Sequence, residues 1–220
     1  MSTPAAMAAV LGALGVFMLA VRSLQAFRLL GPEGGRKLVH VGMGVIALPF
    51  PWIFTDSRPV WLLAAAAIAV LGAVRLVPTL ALRFGGVLSG IGRPSLGEIF
   101  FPLGVALAFM LARGDAAAFC GAVGVLAFAD TTGALVGIRW GRIRYSVAGS
   151  RKSLEGSAAV WASASACVAI AYAALGPKTW EAGLAGGVLI GLAVASVEAV
   201  SSYGLDNLLL PALVVELMRL

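Results

Sequence analysis

The sequence predicts an all-α polytopic membrane protein with about seven to eight transmembrane helices and no soluble domain. Of the 220 residues, 60% are hydrophobic and only 12% are charged, whereas soluble domains carry roughly 25% charged residues. Apolar stretches of roughly 20 residues, the length that crosses a bilayer core, recur along the chain. Lysines and arginines are concentrated in alternate connections between these stretches. We therefore expect one integral membrane domain over residues 1–220.

The membrane helices are predicted from the apolar stretches, taken in chain order. They are 5–21, 38–54, 60–77, 97–112, 116–138, 156–175, 182–200 and 205–218. The last is short and contains Pro211, so we expect it to be kinked or only partly inserted. No basic segment precedes the first stretch, which favours a spanning helix over a cleaved signal peptide. Cys120 and Cys167 lie in apolar segments without metal-ligand spacing, and are interpreted as packing residues.

The distribution of basic residues predicts the orientation. Of the 16 lysines and arginines, 12 fall on one side of the predicted membrane: Arg22, Arg28, Arg36, Lys37, Arg75, Arg83, Arg93, Arg139, Arg142, Arg144, Arg151 and Lys152. The other side has Arg58, Arg113, Lys178 and Arg219. Because positive charge marks the cytoplasmic side, we expect a multi-pass protein, of a bacterial-type inner membrane, with both termini outside. The net charge of +6 then reflects topology, and no nucleic-acid partner is expected.

Polar residues in apolar surroundings converge on the predicted cytoplasmic face. They are His40, Glu98, Asp130, Glu155, Glu198 and Asp206. A charge within the hydrocarbon costs a few kcal/mol or more unless it is paired, hydrated or metal-bound. Asp130 is the clearest case, because it follows CGAVGVLAFA and has no basic residue nearby in sequence. It is either a packing acid paired with an arginine of another helix or part of a functional site.

Three glycines follow Asp130 at four-residue spacing, Gly133, Gly137 and Gly141. On a helix they form one smooth stripe, which is typical of close helix packing. The same spacing recurs in Gly183–Gly191 with no chemistry attached. The alternative is that Gly133 and Gly137 let a phosphate or nucleotide approach the backbone. The sequence contains no P-loop motif.

The basic segment GRIRYSVAGSRKSLEGS comes next and is interpreted as a loop at the membrane surface. It serves topology, but Arg151 and Lys152 are also suitable partners for phosphate. Glu155 would cap the following helix or orient the lysine. With Asp130, this segment suggests a metal-plus-lysine polyphosphate site, since Mg²⁺ is usually bound by one or two carboxylates, waters and substrate phosphates.

Two further clusters fall before Asp130 on the same face. Arg36, Lys37 and His40 share one side of a helix by their spacing. They are either an interfacial anchor or part of the site. Glu98 in PSLGEIFFPLG is either a site acid or an acid favoured by a helix N-terminus.

A last cluster lies in VEAVSSYGLDNLLLP and contains Glu198, Asp206 and Asn207. The Asp-Asn pair precedes a short apolar run and could simply cap that helix. The alternative is that these side chains belong to the same polar site.

Taken in order, these segments resemble the CTP-dependent lipid-alcohol kinases, which include dolichol, phytol and farnesol kinases and CTP-dependent diacylglycerol kinase. The resemblance covers roughly residues 36–211. It is carried by Arg36-Lys37 with His40, G-E-x-F-F-P at 97–102, D-x-x-x-x-x-x-G-x-x-x-G at 130–141, R-K-S-x-E-G at 151–156 and E-x-x-x-x-x-x-x-D-N-x-x-x-P at 198–211. The chain reads D-T-T-G at 130–133, where many family members have an alanine, and this departure blurs the subfamily.

The resemblance implies transfer of the γ-phosphoryl group of CTP to a lipid hydroxyl, with a divalent metal such as Mg²⁺. The implied catalytic residues are Asp130, Lys152 and Asp206. Those implied to bind the nucleotide are Gly133, Gly137, Arg151, Glu155, Asn207, Arg36, Lys37 and His40. Those implied to bind the metal are Asp130, Asp206, Glu198 and Glu98. The expected partners are the bilayer, a nucleoside triphosphate and a membrane lipid alcohol.

Two other functions remain open. A phosphatidate cytidylyltransferase also resembles the chain through an aspartate, spaced glycines and K-[ST]-x-E-G, and would attack the α-phosphorus of CTP. It usually has a further acidic motif with glycine and histidine, where this chain reads VEAVSSYGLDNLLLP. A transporter would use Asp130 for an ion or proton, but no two-half repeat is evident. The sequence leaves open the lipid alcohol and the oligomeric state.

Overall fold

The structure is a computed structural model that describes residues 2–77, 79, 96–147, 150–176 and 179–220, without the side chains of Arg75, Glu98 and Ser150. The expected all-α membrane fold is confirmed. The described helices are α1 (Thr3–Ala26), α2 (Pro32–Ala47), α3 (Phe50–Ile53), α4 (Ser57–Leu76), α5 (Gly97–Ala112), α6 (Ala116–Gly124), α7 (Asp130–Trp140), α8 (Leu154–Leu175), α9 (Trp180–Val200) and α10 (Asp206–Met218). A π-helical turn, Val125–Ala129, joins α6 to α7.

Within the described ranges, five helical segments are long and apolar enough to cross a membrane. They are Thr3–Ala26, Ser57–Val74, Ala116–Trp140, Leu154–Leu175 and Trp180–Val200, and a shorter apolar segment is Ile99–Ala112. Helix α2 has 16 residues and α10 has 13. At about 1.5 Å per residue, neither reaches across a core of roughly 30 Å by itself. The short final helix agrees with the expectation for 205–218.

The basic segment is a β-hairpin, and its interpretation as a loop was wrong. Strands β1 (Arg144–Val147) and β2 (Ser150–Ser153) pair antiparallel, with Arg144 opposite Ser153. Each strand has only four residues, too few for alternation to stand out in the sequence. The hairpin is attached to the start of α8, because the Leu154 backbone N–H donates to the Ile143 carbonyl at 2.9 Å.

The later helices pack closely through small residues. A Cβ added at Gly187 in α9 would lie 2.6 Å from the Ser165 carbonyl oxygen of α8. The Gly183–Gly191 stripe is therefore a packing surface, as the spacing indicates. The α6 segment lies in the core, where Phe119 and Val123 are almost completely buried. This packing fixes α7, α8 and α9 side by side, and brings the polar segments at their ends together.

Candidate active site

A cavity of about 540 Å³ opens where α2, α8 and α10 begin and where α9 ends, and it extends along α7 from Asp130 to Ile138. Its lining is formed by Arg36, Asp130, Gly133, Ala134, Gly137, Ile138, Arg144, Arg151, Lys152, Ser153, Gly156, Ser157, Val160, Glu198, Ser201, Ser202, Tyr203, Gly204 and Asp206. Most of the residues that the sequence marks as candidates therefore meet at one place, although they come from five separate segments.

Asp130 is the first residue of α7 and is paired with a lysine. The Nζ atom of Lys37 lies 2.7 Å from Asp130 Oδ2, and the side chains are 6% and 24% exposed, respectively. The sequence suggested an arginine as the pairing alternative, and the partner found is Lys37 of α2. This cation offsets the cost of placing the carboxylate in an apolar helix. The open side of Asp130 faces the cavity.

The π turn directly before Asp130 is held by His40. The Nε2 atom of His40 lies 2.8 Å from the Leu126 carbonyl oxygen, and the ring packs edge-on against Phe101 with 4.6 Å between centroids. A π turn widens the helix by one residue, and such turns are frequent at functional sites. His40 does not line the cavity. Its position is that of a support for the turn that carries Asp130.

Arg36 lines the cavity but is already bonded to Glu33 on its own helix. Its Nη2 atom lies 2.7 Å from Glu33 Oε1, and its Nε atom donates to Glu33 Oε2 at 3.1 Å. This bond with the guanidinium holds the pKa of Glu33 below its usual range. Glu33 thus orients Arg36 at the edge of the cavity.

Lys152 of β2 reaches the C-terminal end of α9. Its Nζ atom lies 2.7 Å from Glu198 Oε1 and also donates to the Glu198 backbone carbonyl. The two side chains are 14% and 12% exposed. The pair joins the hairpin to α9 across the cavity. Lys152, expected to hold phosphate, is thus placed on the lining with a carboxylate beside it.

The turn between α9 and α10 contributes Asp206 and contains a tyrosine in a strained backbone conformation. Tyr203 and Gly204 both have positive φ, 58° and 86°. Glycine adopts this conformation freely, but tyrosine does so rarely. The turn places half-buried Asp206 on the cavity lining. No lysine or arginine within the described part of the chain forms a salt bridge with Asp206.

Asn207 turns away from the cavity and is not part of its lining. Its side chain is buried, and its Nδ2 atom donates to the Gly97 carbonyl at 3.2 Å. A Cβ at Gly104 would clash with the Asn207 carbonyl oxygen. The structure therefore places Asn207 in the contact between α10 and α5. Its implied role toward the nucleotide stays a prediction.

The glycine stripe of α7 packs directly on the start of α8. A Cβ at Gly133 would clash with Val160 and lie 3.2 Å from the Gly156 carbonyl oxygen, and one at Gly137 would lie 3.2 Å from Ser153 Oγ. The packing interpretation therefore applies here. Both glycines also line the cavity, so an approach of phosphate to this backbone stays a prediction.

Glu155 stands apart from this arrangement. Glu155 does not line the cavity. Its carboxylate accepts from the Ile143 backbone N–H at 3.3 Å and so attaches the hairpin to α8. The side chain of Glu98 lies outside the described part of the structure, and its expected role at the metal stays a prediction.

Sequence reasoning missed Arg144 and the turn residues Ser201, Ser202 and Tyr203, all of which line the cavity. The polar break SSYG between two apolar helices was the available signal for the turn. Arg144 had no separate signal, because its position depends on the unforeseen hairpin.

The carboxylates of the cavity lining are of the type that binds a divalent metal. Asp130, Glu198 and Asp206 contribute carboxylate oxygens, the ligands that Mg²⁺ prefers. Among the described residues, no three His, Cys, Asp or Glu side chains are close enough to hold a metal alone. Mg²⁺ is usually bound by one or two carboxylates and substrate phosphates, so an open site of this kind fits it.

Comparison with known proteins identifies a relative of this chain. The chain is 35% identical over 201 residues to the phytol kinase of Synechocystis sp., covering 90% of this chain and 83% of that protein. The chain belongs to the lipid-alcohol kinase family. The resemblance read from the sequence motifs is thereby confirmed. No family model matches the chain, and no solved structure matches it.

Most of the cavity lining lies within the part of the chain that is shared with the lipid-alcohol kinase family. The matched region includes most of the chain, and the lining residues come from segments spread between Arg36 and Asp206. The polar cavity at the end of membrane helices is therefore the candidate active site of this family member.

Proposed function

We propose that the protein transfers the γ-phosphoryl group of CTP to the hydroxyl of a membrane lipid alcohol, at the cytoplasmic face. The observation that carries the proposal is the cavity itself, where Asp130 and Asp206 share the lining with Lys152 and three arginines. Phosphoryl transfer depends mainly on positioning and on neutralising charge. A lining of carboxylates and cations suits a metal-bound polyphosphate.

The face of the membrane follows from the basic residues. The hairpin and the start of α2 carry Arg36, Lys37, Arg144, Arg151 and Lys152, and all belong to the end of the bundle that holds the cavity. Because basic segments favour the cytoplasmic side, the nucleotide would enter from the cytoplasm.

The acceptor is proposed to be an isoprenoid alcohol, with phytol as the first candidate because a relative bears that name. Polyprenol, dolichol, farnesol and diacylglycerol are the other acceptors to compare. The lining includes Ala134, Ile138 and Val160 beside its polar groups, and Ile138 is 69% exposed. An apolar tail lying along α7 would bring its hydroxyl to Asp130 and Asp206.

In the proposed reaction, the alcohol oxygen forms a bond to the γ-phosphorus, and the bond from that phosphorus to the β–γ bridging oxygen breaks. CDP leaves, and the hydroxyl proton passes to a carboxylate, for which Asp206 is the candidate. Lys152, Arg36 and Arg151 would hold the phosphates. Asp130 would hold Mg²⁺, which would supply charge neutralisation at the phosphates when bound. The alternative role of Asp206 is to complete this metal site, with another acid accepting the proton.

The proposal is tested with purified protein in lipid, Mg²⁺, a panel of lipid alcohols and phosphatidate. CTP carries label at the α-phosphate in one reaction and at the γ-phosphate in another, and a parallel series uses ATP. Label in lipid from the γ-position alone supports a kinase, and the best acceptor identifies the substrate. Label from the α-position alone means a cytidylyltransferase, and equal rates with ATP would reject CTP dependence.

A further inference from the structure

Two arginines of the hairpin face the cavity together. In an antiparallel pair, residues opposite each other and residues two apart lie on the same face. Arg144 is opposite Ser153, and Arg151 is opposite Ser146, so both arginines share a face as diagonal neighbours. Both also line the cavity. The hairpin thus carries both arginines on one face, and both border the cavity.

These arginines differ from the other cations of the lining in having no carboxylate partner. Lys152 is paired with Glu198, and Arg36 with Glu33. Within the described ranges, neither Arg144 nor Arg151 has a carboxylate within salt-bridge distance. Guanidinium groups match phosphate oxygens with two parallel hydrogen bonds. The pair is therefore available for an external anion.

The hairpin that carries them is attached at several points. The Tyr145 hydroxyl is 2.6 Å from Ser157 Oγ, and the Leu154 backbone N–H donates to the Ile143 carbonyl at 2.9 Å. Lys152 ties the second strand to Glu198. These contacts fix the backbone below both arginines, so less order has to be gained when a ligand binds.

We propose that Arg144 and Arg151 form a clamp for the polyphosphate arm of the nucleotide. Arg144 is the new element, because no motif of the sequence marks it. This inference rests on the proposed function, which makes a nucleoside triphosphate the source of the polyphosphate. An anionic lipid headgroup offers the same phosphate chemistry, and the experiment separates the two.

The test uses the full chain in neutral detergent and measures binding of CTP and of inorganic tripolyphosphate by calorimetry. Arg144→Ala and Arg151→Ala should each weaken both affinities by roughly 10-fold, since a bond to a charged group is at stake. Arg144→Lys should recover part of the loss. Arg142→Ala is the matched control, because Arg142 is exposed on the same segment and is not part of the lining.

The outcomes are separable. An equal loss in Arg142→Ala would overturn the clamp, because net charge alone would explain it. A second measurement follows binding of the same variants to vesicles of anionic lipid. If Arg144→Ala and Arg151→Ala weakened only this vesicle binding, and not the affinity for CTP or tripolyphosphate, the clamp would also be overturned. If Arg144→Ala kept normal affinity while the wild type transferred phosphoryl groups, the clamp would fail and the proposed function would stand. If the wild type bound tripolyphosphate through Arg144 but phosphorylated no alcohol, only the proposed function would fail. Circular dichroism and gel filtration check the fold, with Arg144→Gln as a second variant.

Discussion

Lys37 and Asp130 are 93 residues apart in the chain, and their side chains meet at 2.7 Å. The lysine is almost completely buried. The contact joins α2 to the start of α7, directly after the π turn. One ion pair thereby fixes the position of the acid on which the proposed site is centred.

Removing the lysine alone should destabilise the protein. Lys37→Met leaves the partly buried Asp130 without its cation. Breaking a fully buried pair costs about 3–5 kcal/mol, and we expect the low end of this range because Asp130 borders the open cavity. Thermal unfolding followed by circular dichroism in detergent measures this. The double variant Lys37→Met with Asp130→Asn should recover much of the stability but no activity. A double variant with normal turnover would show that Asp130 is only structural.

Asp130→Asn and Lys152→Ala should each abolish phosphoryl transfer while the protein still inserts in the membrane. Both side chains line the cavity, and the charges proposed to bind metal and phosphate would be lost. Turnover with labelled CTP measures the effect. Near wild-type rates in both variants would contradict the site assignment.

The control for these variants lies at the opposite end of the bundle. Arg58 is exposed near the start of α4, and Arg58→Ala should leave turnover within about twofold. Lys178, expected on the same outer side, lies outside the described residues, and Lys178→Ala is likewise expected to be nearly silent. A large loss of turnover in either variant would contradict the proposed cytoplasmic face and indicate that the active site lies on the outer side.

His40 should act through the π turn. His40→Leu leaves the Leu126 carbonyl without its partner, which costs about 1–3 kcal/mol. It should also lower kcat with little change in the KM for the alcohol, because Asp130 would be misplaced. His40→Gln keeps a donor and should recover part of both losses. If His40→Leu raised only the KM for CTP, direct nucleotide contact would be the better explanation.

Gly133→Ala should loosen the packing of α7 on α8. The new Cβ would clash with Val160, and overpacking costs about 1–3 kcal/mol. Gly72→Ala is the matched control, since no atom lies within 4 Å of a Cβ there and alanine favours helix by about 0.5–1 kcal/mol. The two variants should shift the melting temperature in opposite directions. A melting temperature for Gly133→Ala equal to that of the wild type would contradict the close packing.

Removal of Mg²⁺ by a chelator should stop the reaction without unfolding the protein. If Asp130 holds Mg²⁺ with the substrate phosphates, chelation should abolish turnover and leave the helical content unchanged, because no described cluster binds a metal alone. Adding Mg²⁺ back should restore activity. A cooperative loss of helix on chelation would instead indicate a structural metal.

The sequence by itself determined the membrane fold, and the positions of most helices follow from hydropathy. This works because a helix within lipid must be apolar over its length, and this requirement is local. The same reasoning marked Asp130, Lys152, Glu198 and Asp206, since charge in an apolar helix demands an explanation. The family also followed from the sequence motifs.

Only the tertiary structure decided which of these residues face one another. The pairing of Lys37 with Asp130 and the place of Arg144 depend on helix packing and on a four-residue strand register. The π turn held by His40 also has no local sequence pattern. Such relationships join residues far apart in the chain, so periodicity and spacing, which act within one segment, cannot determine them.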